Sequence, residues 1–167
     1  MGARYAPMST FTLVHVLISL AAILAGFVVV AGFITARSCP RWTTFYLVMT
    51  FLTSATGFFF PFHHFTPAHG VGILSLIVLA VAAYGLYARK LGGAWRRIYA
   101  ACAVFALYLN FFVLVVQLFQ KVPALNALAP TQKEPPFVIA QSVTLLVFVA
   151  LGIASTVRSR LQPVPGV

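Results

Sequence analysis

Five long apolar runs, separated by short polar or proline-bearing connections, set the pattern of this chain. They cover Phe11–Ile34, Trp42–Phe60, Gly70–Ala88, Ile98–Phe119 and Phe137–Val157. Each approaches or exceeds the roughly 20 residues that an α-helix needs to cross the hydrocarbon of a bilayer. Only a helix or a closed barrel satisfies its own backbone there, and the runs show no alternation of period two. The pattern therefore predicts an all-α fold: one polytopic bundle of five transmembrane helices, a single domain over residues 1–167. The first run is too long for the apolar part of a cleaved leader, usually about 7–15 residues, so it reads as a resident span.

Polar and small positions inside the runs predict which faces turn inward. Ala21, Ala22, Ala25 and Gly26 form overlapping small-xxx-small pairs that let helices approach closely. In the second run Thr50, Thr53, Ser54 and Gly57 follow helical spacing and share a face, which His64 would continue beyond Pro61. In the fourth run Tyr99, Ala103, Ala106, Asn110, Val113, Gln117 and Gln120 recur at steps of four and three, a seam that grows polar toward its end. The connection Lys121–Pro136 is longer, and its middle, Val122–Ala129, is apolar enough to rest on a membrane surface.

Composition agrees with the pattern. The chain is 62% hydrophobic with mean hydropathy +1.01, and 7% of its residues are charged, against about 25% in soluble domains. Its net charge of +10 adds topology rather than a nucleic-acid footprint, because the cations sit in connections and form no basic domain. With five spans, Arg37, Arg41, Arg89, Lys90, Arg96, Arg97, Arg158 and Arg160 fall on one side, and Arg4, Lys121 and Lys133 on the other. The excess of lysine and arginine marks the cytoplasmic side, placing the N-terminus outside and the C-terminus in the cytoplasm.

That topology gathers the candidate chemistry. His15, His63, His64 and His69 all fall in the outer layer, with Gln117, Gln120, Gln141 and the chain's one acidic residue, Glu134. His63, His64 and His69 stand in the turn Phe58–Gly72, where Pro61 and Pro67 punctuate two helices. His15 lies inside an apolar span, where an ionisable side chain is expensive and marks a functional position. Neutral imidazole is the commonest metal ligand, so His15 and His69 are candidates to hold a haem b iron, or copper or zinc together with His64. Alternatively His69, Gln117 and Gln141 would hydrogen-bond a quinone headgroup between walls made by Phe58–Phe60. The structural alternative is plain: His63 and His64 as interfacial side chains, Asn110, Gln117 and Gln141 as interhelical hydrogen bonds, and Glu134 beside Lys133 as a solvated loop pair.

Several classes are excluded. No Asp, Glu, Lys or Arg lies within a span, so a proton relay or Schiff base has no carrier. There is no phosphate-binding glycine loop, and Cys39 and Cys102 form no C-x-x-C pair. Internal repeats and broken helices around a midplane site, the marks of many transporters, are also missing.

The basic turns, the helix opening Pro67-Ala68-His69-Gly70-Val71-Gly72, and the blocks Trp95-Arg96-Arg97-Ile98-Tyr99 and Ala106-Leu107-Tyr108-Leu109-Asn110 resemble small, functionally uncharacterised bacterial multi-pass inner-membrane proteins. The histidine that opens a helix before spaced glycines is also similar to small b-type cytochrome bundles, which would imply haem ligation by His69. Two functions are therefore expected to compete. One is a redox-associated membrane protein with an outer-face histidine site for haem b, a metal ion or a quinone. The other is a non-catalytic accessory or scaffold subunit that meets partner membrane subunits or further copies of itself.

Overall fold

The computed structural model describes residues 10–60 and 67–159, and these are helical throughout apart from short connections. The elements are α1 (Thr10–Thr35), α2 (Pro40–Gly57), α3 (Pro67–Ala83), which continues as one π-helical turn (Tyr84–Ala88), α4 (Trp95–Lys121), α5 (Pro123–Leu128) and α6 (Pro135–Arg158). Helices α2, α3, α5 and α6 each open on a proline. There its missing N–H has no helical acceptor to serve and its fixed φ suits the first turn. Each main helix begins one to three residues before the apolar run that announced it, because the flanking Thr10, proline or Trp95-Arg96-Arg97 block is helical too.

Among the described residues, four helices are long and apolar enough to cross a membrane: Thr10–Thr35, His69–Ala88, Trp95–Lys121 and Pro135–Arg158. Helix α2 is not one of them. It has 18 residues, and Arg41 together with Thr43, Thr44, Thr50, Thr53, Ser54 and Thr56 lowers its hydropathy.

Helices α1, α2, α3 and α4 form a ring in which sequential neighbours pack and α4 closes back on α1. Helix α6 lies in the groove between α4 and α1, and buries only Thr144, Phe148 and Ser155. Across the ring, α2 reaches α4 through side chains: the Tyr46 hydroxyl donates to the Ala103 carbonyl at 2.8 Å. Gly26 makes this closeness possible, since a Cβ there would sit 2.5 Å from Leu107 Cδ1 and 2.9 Å from Tyr46 Cε2. Of the expected stripe Ala21, Ala22, Ala25 and Gly26, the last three are buried and Ala21 is half-buried.

The main core comprises Ile23, Val29, Val30, Tyr46, Leu47, Leu79, Tyr99, Val104, Leu107 and Phe148 among others. It occupies the half of the bundle where α1 ends, α2 begins and α4 begins, here called the basic end. At the opposite, histidine end a small second core of Val115, Phe119 and Ala129, backed by Leu125 and Phe137, sits under α5.

The connection from α4 to α6 is pinned rather than loose. Asn126 Nδ2 donates to the Phe119 carbonyl at 3.2 Å, and Gln132 Nε2 to the Val116 carbonyl at 3.1 Å. The expected apolar middle of this loop is thus a short helix tied to the end of α4.

Candidate histidine site

His15 is fixed from α2. Its Nδ1 lies 2.7 Å from the Thr56 hydroxyl oxygen, and that hydroxyl lies 2.6 Å from the Leu52 carbonyl. A carbonyl can only accept, so the Thr56 proton points to Leu52 and its lone pair faces the imidazole. The ring proton therefore resides on Nδ1. In neutral His15 this leaves the Nε2 lone pair as the group available to an incoming ligand. Thr56 was not singled out from sequence, although it lies three residues after Thr53 and next to Gly57.

Aromatic rings hold the rest of the site. Phe60 meets His15 edge-on at 5.0 Å and also contacts Phe11 at 5.0 Å. Phe58, two residues earlier, packs on the His69 ring at 5.9 Å. The segment Phe58–Phe60 thus touches both histidines, His15 from α1 and His69 from the first turn of α3. His63 and His64, the latter a candidate metal ligand, lie outside the described residues.

The glutamines are dispersed. Gln141 Nε2 donates to the Phe112 carbonyl of α4 at 3.2 Å, while its Oε1 is buried without a hydrogen-bond partner. Gln117 is exposed on α4. The polar seam of α4 therefore faces inward from Tyr99 to Asn110 and emerges at Gln117 and Gln120. Glu134 does not pair with the Lys133 side chain in the way a solvated loop pair would require. Its carboxylate accepts from the Thr131 hydroxyl at 2.8 Å, the Thr131 N–H at 3.2 Å and the Lys133 N–H at 3.0 Å.

Behind the site runs an interhelical polar column. Ser54 donates to Ser75 at 3.0 Å, joining α2 to α3, and Asn110 Nδ2 approaches the Thr50 hydroxyl at 3.5 Å, joining α4 to α2. Both pairs are buried, so the expected inward face of α2 is met. Ser75 and Tyr46 complete this column; neither was singled out from sequence, although Tyr46 lies four residues before Thr50 on the same helical face.

Comparison with family models, curated proteins and solved structures finds no match for this chain. The chemistry must be read from the residues. Among the described residues, no three histidine, cysteine or acidic side chains converge on a point that could hold a metal ion. His15 and His69, on the two sides of Phe58–Phe60, remain the pair with ligand chemistry. Two shallow surface depressions lie at the basic end, one along Pro40–Val48 and one at Ala88–Trp95.

Proposed function

We propose that this chain crosses a bacterial inner membrane five times and carries, at its outer face, a histidine site for a redox group, haem b or a quinone before a lone metal ion. Chain order supports the fifth crossing. Helix α1 ends at the basic end, and Thr56 near the end of α2 bonds His15 near the start of α1. If α1 spans the bilayer, α2 must return across it, and its Thr50, Ser54 and Thr56 hydroxyls face neighbouring helices. The distribution of lysine and arginine supports a cytoplasmic basic end and an outer N-terminus.

The observation that carries the functional reading is the His15–Thr56–Leu52 chain. Histidines that ligate metals usually donate their second ring N–H to an oxygen, which fixes tautomer and orientation. His15 has that arrangement, with Nε2 left for an iron or for a quinol hydroxyl. His69 offers a second imidazole, and the phenylalanines supply apolar walls. A copper or zinc ion would need a third ligand, for which His64 is the candidate.

The test is an absorption spectrum of protein gently extracted from its native membrane, oxidised and then reduced, with metal and quinone analysis of the same sample. A reduced b-type band or bound quinone that is lost in His15→Ala and weakened in Thr56→Val supports the reading. Retention of all bound chromophore, metal and quinone in His15→Ala combined with His69→Ala overturns it.

A second reading has its own observation: among the described residues large apolar side chains such as Phe51, Phe59 and Leu146 stand exposed on the bundle surface, where partner helices could cover them. On that reading the chain is an accessory or scaffold subunit of a larger membrane complex. Migration as a lone protomer on a native gel after mild extraction counts against it.

A further inference from the structure

The shallow groove on α2 is built differently from the rest of the bundle surface. It is lined by Pro40, Arg41, Thr44, Phe45 and Val48, so it runs about 12 Å along the helix at 1.5 Å per residue. Arg41 stands at its head and apolar side chains make its length, with Phe45 40% and Val48 46% exposed. Thr44 turns its hydroxyl to the Pro40 carbonyl at 3.2 Å, which removes the one polar group from the wall. Trp42 meets Phe45 edge-on at 6.2 Å and flanks the head. A cation at the membrane surface above an apolar trough has the amphipathic order of a phospholipid.

Charge decides the kind of lipid. Glu134 is the only Asp or Glu in the chain. Its carboxylate is engaged by Thr131 and the Lys133 N–H in the loop before α6, at the histidine end. No acidic side chain therefore exists to neutralise Arg37 and Arg41 at the basic end. The second depression differs, because Arg89 already lies over the Trp95 ring at 5.7 Å and Trp95 is braced by Tyr84 at 5.1 Å.

We infer that the α2 groove binds one anionic phospholipid, its phosphate on Arg41 and an acyl chain along Phe45 and Val48. The lipid supplies the missing counter-ion and covers the outward face of the helix whose own apolar content falls short of a span. This site is independent of the histidine reading and shares with it only the placement of α2 in the bilayer.

Native mass spectrometry of the full chain with added phosphatidylglycerol or phosphatidylcholine tests the site. Wild type should retain one phosphatidylglycerol about fivefold more than phosphatidylcholine, the factor that one interfacial charge supplies. Arg41→Gln should remove the difference. Val48→Trp, which fills the trough and leaves the arginine in place, should also release the lipid, while Arg89→Gln should retain it. Equal retention of the two lipids overturns the inference. So does an equal loss in Arg41→Gln and Arg89→Gln, which would mean diffuse surface charge, or displacement by inorganic phosphate alone, which would mean that the trough takes no part.

Discussion

At the basic end Gly26, Tyr46 and Leu107 interlock so closely that a single added carbon has no room. At the histidine end α1 buries nothing before Ala22, and contact is made through rings and hydroxyls: Phe11 and Phe60 around His15, Phe58 on His69, Thr56 on Nδ1. Between helices in a membrane, close van der Waals packing supplies stability, because lipid tails are as apolar as leucine. The basic end is built that way. Among the described residues the histidine end instead sets His15 and His69 against aromatic rings, where an ionisable group is costly for stability.

Substitutions at equivalent depths should separate the two ends. The largest effect is expected from Gly26→Val, which forces carbon into Leu107 and Tyr46. Neither can withdraw, since Leu107 is 0% and Tyr46 1% exposed. A loss of about 1–3 kcal/mol is expected for such overpacking, read by equilibrium unfolding in detergent micelles. An unchanged unfolding midpoint would mean that this end is not tightly packed. Next, Tyr46→Phe removes the hydroxyl bond to Ala103 and should cost about 1 kcal/mol in the same assay.

At the histidine end the sign should reverse. A Cβ at Gly70 would meet nothing within 4 Å, so Gly70→Ala should stabilise by about 0.5–1 kcal/mol through helix propensity and a stiffer unfolded chain. A destabilised Gly70→Ala variant would show that the site packs more tightly than the described residues indicate. Thr56→Val should cost about 0.6 kcal/mol, the mean for a hydrogen bond between membrane helices, with its larger signature in ligand retention.

The smallest effect is expected at the loop before α6, and it depends on pH. Desolvation would raise the Glu134 carboxyl, but the Thr131 hydroxyl and the backbone N–H groups of Glu134, Thr131 and Lys133 outweigh it and hold the group below its ordinary value. A carboxylate lowered in the folded state stabilises fully above the unfolded value, and that contribution is lost as pH falls through the lowered one. Protection factors of the Thr131 and Lys133 amides, corrected for intrinsic exchange, should therefore be high at neutral pH and fall as pH drops below the ordinary carboxylate range. Glu134→Gln should show low protection at both. Equal protection in the two proteins would remove Glu134 from the loop's support.

Much of this molecule was legible in its residues, and the parts that were not have a common cause. Apolar runs of spanning length, the prolines at Pro40, Pro67, Pro123 and Pro135, and the shared face of Thr50 and Ser54 all depend on contacts within one helix or on a helix meeting lipid, so spacing alone reveals them. The partners did not: Ser75 for Ser54, Ala103 for Tyr46, Thr56 for His15. Each joins helices whose relative rotation is decided by what packs between them, and Gly26 is the residue that lets three of them meet. The outward turn of Gln117 has the same origin. The spacing that links it to Asn110 is regular, but how much of that face is covered depends on how the neighbouring helices pack. Sequence by itself determined that these helices form and, to within a few residues, where they start. Only the tertiary structure decided that His15 presents Nε2, because a tautomer is chosen by the oxygen another helix places beside it.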